Sequence, residues 1–147
     1  MEERYKSKIV VDLFLERKTD KGEKEVLLLL RQNTGHCDGL YDLPGGHVDP
    51  NEDIFDAMIR EAKEEIGIDI IRENMKILHI YHHFEKDSIK FVFGVSEYAG
   101  ILENAESDKC KELKWVNINN LQENIIQGIK DEIENIKNGK YYNSDTK

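Results

Sequence analysis

Three glutamates, Glu61, Glu64 and Glu65, fall within five consecutive residues of a segment that has helical periodicity. With Ile54 at zero and about 100° per residue, Met58, Ala62, Phe55, Ile66 and Ile59 occupy an apolar arc from roughly 40° to 140°. On that wheel Glu61 lies near 340° and Glu65 near 20°, at the edge of the arc, with Glu64 flanking them at about 280°. Carboxylates four residues apart on a helix have neighbouring side chains, about 5–6 Å between β-carbons. At an effective dielectric near 20, two full charges at that spacing repel by about 3 kcal/mol. Either one carboxyl is protonated or a cation neutralises the pair. An all-oxygen set beside a glycine turn suits Mg²⁺, with Mn²⁺ as the alternative.

The glutamates belong to a longer pattern. Gly46, five residues, Glu52, seven residues, then Arg60-Glu61-Ala62-Lys63-Glu64-Glu65-Ile66-Gly67-Ile68 resembles a complete Nudix box. The resemblance extends upstream through Arg31-Gln32-Asn33-Thr34-Gly35 and Leu43-Pro44-Gly45-Gly46, and more loosely downstream to Trp115. It implies that Glu61 and Glu65 foremost, then Glu64, bind divalent metal. It also implies that Arg60 pairs with Glu52 and orients the cluster. The backbone carbonyl of Gly45, unobstructed by a side chain, is the expected fourth contribution to the metal shell. In this family the proton acceptor comes from the box or from a later loop, which leaves Glu61 and Glu106 as candidates. Glu106-Ser107-Asp108-Lys109-Cys110 is similar to a Glu-Pro-x-Lys-Cys stretch of some members, with Ser107 in place of proline.

These residues need a scaffold. Lys8 to Glu16 and Lys24 to Arg31 read as the two strands of a hairpin around the turn Thr19-Asp20-Lys21-Gly22, the second strand buried on both faces. The next ten residues, from Gln32 to Tyr41, form a loop beside the box. Arg31, His36 and Tyr41 are its candidate substrate contacts, the two rings as stacking surfaces, with a structural or solvent role competing for each ring. Asp49 or Asp53 caps the carboxylate helix and Gly67 ends it. Strands return at Met75 to Tyr81, Ile89 to Tyr98 and Glu112 to Val116. Of the adjacent His82 and His83, one is expected packed and one exposed. Leu121, Ile125, Ile129, Ile133 and Ile136 mark a final helix for which core packing is the whole explanation needed, before a fraying tail at 141–147. Strands on both sides of a central helix indicate an α/β/α sandwich with a mixed sheet, which the Nudix resemblance also implies.

The 147 residues suit a single domain, and 39% hydrophobic against 35% charged residues make it globular. A net charge of −9 disfavours nucleic acid and anionic membrane as partners, so a phosphate substrate needs a metal or local cations. Two widely spaced cysteines, Cys37 and Cys110, read as reduced thiols. With no signal peptide or membrane-length run, a cytoplasmic location is expected. The expected partner is a small-molecule nucleotide, and a homodimer stays open. The expected activity is Mg²⁺-dependent hydrolysis of a phosphoanhydride in a nucleoside diphosphate linked to another group. Nucleoside triphosphates lead, and nucleotide sugars and ADP-ribose follow. A nucleotide sensor without turnover is the alternative, disfavoured by the intact set of carboxylates.

Overall fold

Runs of β-branched and leucine side chains set the strands of the computed structural model, which describes residues 2–146. One sheet is built from β1 (Lys8–Leu13), β5 (Gly45–His47), β6 (Met75–His83), β7 (Ser88–Val95) and β9 (Tyr142–Ser144), in the order β5-β1-β7-β6-β9. It is mixed, with β1 parallel to β7 and β6 parallel to β9. The second sheet centres on β3 (Lys24–Arg31), which pairs antiparallel with β8 (Cys110–Asn117), with β2 (Glu16–Lys18) and with β4 (Tyr41–Asp42). Val26 to Leu29 are all buried, as expected of a strand covered on both faces. Leu27 joins Val11, Leu13 and Phe93 in the core under helix α1 (Ile54–Ile66), whereas Val26, Leu28 and Val92 feed the core under helix α2 (Gln127–Lys137). The strands thus carry helices on opposite faces, the expected α/β/α arrangement, though divided between two sheets.

The N-terminal hairpin differs from expectation. β1 belongs to the first sheet, and only Glu16–Lys18 pairs with β3. The chain crosses at Phe14 and Leu15, consecutive residues buried in opposite cores: the Phe14 amide donates to Phe93, while the Leu15 carbonyl accepts from Leu27. The final helix begins at Gln127 rather than Leu121. Its expected first turn is held extended by Tyr41, whose amide donates to Asn124 and whose carbonyl accepts from Ile126. The tail also departs from a fraying end, since β9 adds a strand to the sheet; Lys147 lies outside the described residues. Polar contacts hold it. Buried His79 has Nδ1 2.7 Å from the Lys140 carbonyl and Nε2 2.6 Å from Asn143 Oδ1. His82 and His83 are both half-buried, against Tyr5 and Asp145.

Helix α1 is fixed at both ends. Asp53 is the cap, accepting from the Asp56 amide while Asp56 reaches back, and Gly67 adopts φ 74° and donates to Lys63. Arg72 pairs with both aspartates. Those hydrogen bonds, the one from Arg72 foremost, hold the Asp53 carboxyl down from 3.8 to about 2. A depressed carboxyl stabilises the fold above its unfolded pKa and ceases to as pH falls through its folded value. Asp53→Ala is therefore expected to lower the thermal midpoint at neutral pH. The deficit should shrink between pH 3.8 and about 2, which melting curves across that window would show.

Candidate active site

The buried face of α1 is wider than its apolar arc predicts. Ala57, on the far side of Glu61 and Glu65 from Met58, is fully buried, so these two glutamates project from the middle of the face rather than its edge. Gly46 opposite leaves the room for Glu61, and Gly45 supplies a hydrogen bond to Glu65. A β-carbon on Gly46 would lie 2.4 Å from Glu61 Oε1, and the Gly45 amide donates to Glu65 Oε2 at 2.9 Å. In antiparallel pairing, residues exchange both hydrogen bonds at alternate positions. Since Leu13 bonds Pro44 and Val48 bonds Ile9, the intervening Gly45 turns its amide and carbonyl away from β1, toward the helix side.

Arg60 gathers the rest. Its guanidinium donates to Glu52 at 2.7 and 3.1 Å, to Glu61 at 2.9 Å, to Glu64 at 3.2 Å and to the His47 carbonyl at 3.1 Å. Hydrogen bonds from Arg60 hold the Glu52 carboxyl below the usual range, and the carboxylates in turn raise the pKa of Arg60. Burial acts the other way on the two inner glutamates. Glu61 is pushed up, and Glu65 is pushed up to about 9 by burial, with Glu61, Glu106 and Asp12 adding repulsion against the single Gly45 amide. Among the described residues no ready-made cluster of three His, Cys, Asp or Glu side chains surrounds one point. Arg60 engages Glu61 and Glu64, while Gly45 engages Glu65.

These groups line an open cleft of about 700 Å³. Of the residues singled out from sequence, Arg31, His36, Gly45, Glu61, Glu64, Glu65 and Glu106 line it. Arg60 and Glu52 stand behind the glutamates. Tyr41 does not reach the cleft: it is 3% exposed in the core beneath α2, with its hydroxyl donating to Glu112. Arg31 is fixed by Asp42 at 3.1 Å, by the His36 carbonyl at 2.8 Å and by Thr34. The loop bearing Glu106 is tied down from two directions. Gln32 and Asn33 donate to the carbonyls of Ser107 and Asp108, and the amide of Ala105 donates to the carbonyl of Glu65.

Sequence reasoning missed Asp12, Lys90, Lys109 and His47, which also line the cleft. Asp12 left a signal, as a lone carboxylate inside the apolar run Val10-Val11-Asp12-Leu13. It is 5% exposed, and burial pushes its carboxyl up while the ammonium of neighbouring Lys90 pulls it back down. Lys90 left none, because one lysine in an alternating strand reads as a solvent-facing position.

The NUDIX domain family model matches residues 6–136. An ADP-ribose pyrophosphatase of Methanocaldococcus jannaschii is 31% identical over 77% of this chain, which spans 63% of that relative's length. A putative 8-oxo-dGTP diphosphatase of Bacillus subtilis is 28% identical over 79% of this chain and 73% of its own. The crystal structure of a MutT NUDIX hydrolase from Burkholderia pseudomallei shares the fold with a TM-score of 0.73 at 23% identity, covering 88% of this chain and 97% of that one. Glycine turn, capped glutamate helix and arginine clamp lie within the matched span, and the chain belongs to the Nudix family of pyrophosphohydrolases.

Proposed function

We propose that this chain hydrolyses a phosphoanhydride bond in a nucleoside diphosphate linked to another group, with nucleoside triphosphates, oxidised ones among them, as the leading substrate class. The observation that carries the reading is the set of inner glutamates, two of them pushed up in pKa by burial, beside a cleft large enough for a nucleotide. The relative named for an 8-oxo-dGTP substrate supports triphosphates, and the one named for ADP-ribose keeps nucleotide sugars and ADP-ribose next.

The donors fit a hard divalent cation in type, being carboxylate oxygens of Glu61, Glu64 and Glu65 with the Gly45 carbonyl on the facing strand edge. Mg²⁺ or Mn²⁺ bound there would neutralise phosphate oxygens and acidify a water. The chain's own groups do the rest. Arg60 holds Glu61 and Glu64 in place, anchored by Glu52, which is itself capped by the Asp49 amide. Arg31, with Lys109 on the same wall, supplies positive charge for phosphate oxygens in a chain that is acidic overall, and His36 lines the wall beside them. Glu106, half-buried and facing Glu61 and Glu65, is the proton acceptor, outside the arginine clamp that occupies Glu61.

Activity is expected to rise saturably with Mg²⁺ and to vanish in excess chelator, measured as phosphate or pyrophosphate released from a nucleotide panel. Full turnover in chelator would sink the reading.

A further inference from the structure

Beyond Gly45 the cleft continues to a charged group that hydrolysis does not use. The sequence of contacts runs from Glu65 to the Gly45 amide, then to Asp12, whose Oδ1 would lie 2.2 Å from a β-carbon on Gly45, then to Lys90. The Lys90 ammonium lies 3.1 Å from Asp12 Oδ2 and 2.9 Å from Glu132 Oε1 of α2. The two acidic side chains are 8% and 4% exposed, and that of Lys90 is 22% exposed. Asp12 and Lys90 line the cleft; Glu132 stands behind them.

Buried ion pairs are weak sources of stability, because desolvation consumes most of the attraction. This one is also incomplete. Glu132 Oε2 is buried without a hydrogen-bond partner, and an ammonium with three donors meets only two carboxylates, at Asp12 Oδ2 and Glu132 Oε1. Asp12 and Glu132 outnumber the lysine, so its immediate surroundings repel a phosphate. A neutral ligand edge that accepts from Lys90 and donates to Asp12 suits it.

We propose that Lys90, with Asp12 beside it, is a specificity-determining contact to the nucleobase, selecting a base whose edge carries a ring carbonyl next to a ring N–H, as guanine and hypoxanthine do, over adenine. This rests on the proposed function and names the substrate class of the same cleft. Lys90 donates to the carbonyl oxygen, and Asp12 accepts from the ring N–H. Adenine in the same register sets its amino group against the ammonium and its ring-nitrogen lone pair against the carboxylate, which mismatches both contacts.

The test is calorimetric binding, with Mg²⁺, of guanosine and adenosine triphosphate analogues bridged by a methylene between the α and β phosphorus atoms. Wild type is expected to favour the guanosine analogue by about 10–100-fold, the range for a hydrogen bond to a charged group. Lys90→Met erases that preference. Should Lys90→Met fail to fold with two carboxylates left buried, Lys90→Met/Glu132→Gln removes one charge of each sign and is expected to erase the preference equally. A wild type without the preference, one that binds neither analogue, or a preference surviving in the folded variant overturns the inference. Phosphoanhydride hydrolysis by that same wild-type preparation would leave the proposed reaction standing.

Discussion

Glu65→Gln is expected to lose about 10²–10³-fold in turnover, the scale of one transition-state electrostatic contact removed, while keeping the fold. The side chain faces the Gly45 amide, and an amide oxygen at the same position can still accept from it. Stability should move opposite to activity. With its pKa raised from 4.5 to about 9, Glu65 favours the native state only when protonated, so its contribution is complete below pH 4.5 and lost as pH rises toward 9. At pH 7 in chelator the glutamine variant is therefore expected to unfold at a higher temperature than wild type. Gained stability with lost activity marks a functional carboxylate rather than a structural one. A variant with wild-type circular dichroism and unchanged turnover would return Glu65 to a structural role.

Within the loop after β7, Glu106→Gln is expected to cost about 10²–10⁴-fold, the usual contribution of a positioned general base, while Glu103→Gln and Asp108→Asn stay near wild type. All three are acidic residues of one loop, yet they face different surroundings. Glu106 lines the cleft and repels both inner glutamates. Glu103 is exposed and lies over Gly67 at the end of α1. Asp108 is exposed, and its carbonyl is held by Asn33. Initial rates of the three variants decide the matter: equal, near-wild-type rates would leave Glu61 or Glu64 as the base and reduce the loop to scaffold.

The carboxylate helix was legible because its features are local. Caps, glycine stop and glutamate spacing all lie within one stretch, and periodicity places such residues on a common face. Contacts between distant segments were not. The crossing at Phe14 and Leu15 looks like an uninterrupted strand, because both side chains are apolar and nothing local says that they enter different cores. The last strand is anchored by His79, Asn143 and Asp145, polar residues whose partnership depends on a parallel pairing that sequence patterning does not encode. Tyr41 resembled a base-stacking ring in a loop, and only the folded chain shows it turned under α2. Glu132 on α2 was hidden for a related reason: a charge one position from the apolar stripe reads as solvated until Lys90 on another element reaches it.

A hydrolase differs from a nucleotide-holding domain in that the glutamate cluster of this cleft breaks a phosphoanhydride. The most direct measurement follows phosphate and pyrophosphate release from a panel of nucleoside triphosphates, nucleotide sugars and ADP-ribose with Mg²⁺, comparing wild type with Glu65→Gln. Multiple turnovers of at least one class by wild type and their collapse in the variant are expected; saturable nucleotide binding by both proteins with no product from either would show a cluster that only holds its ligand.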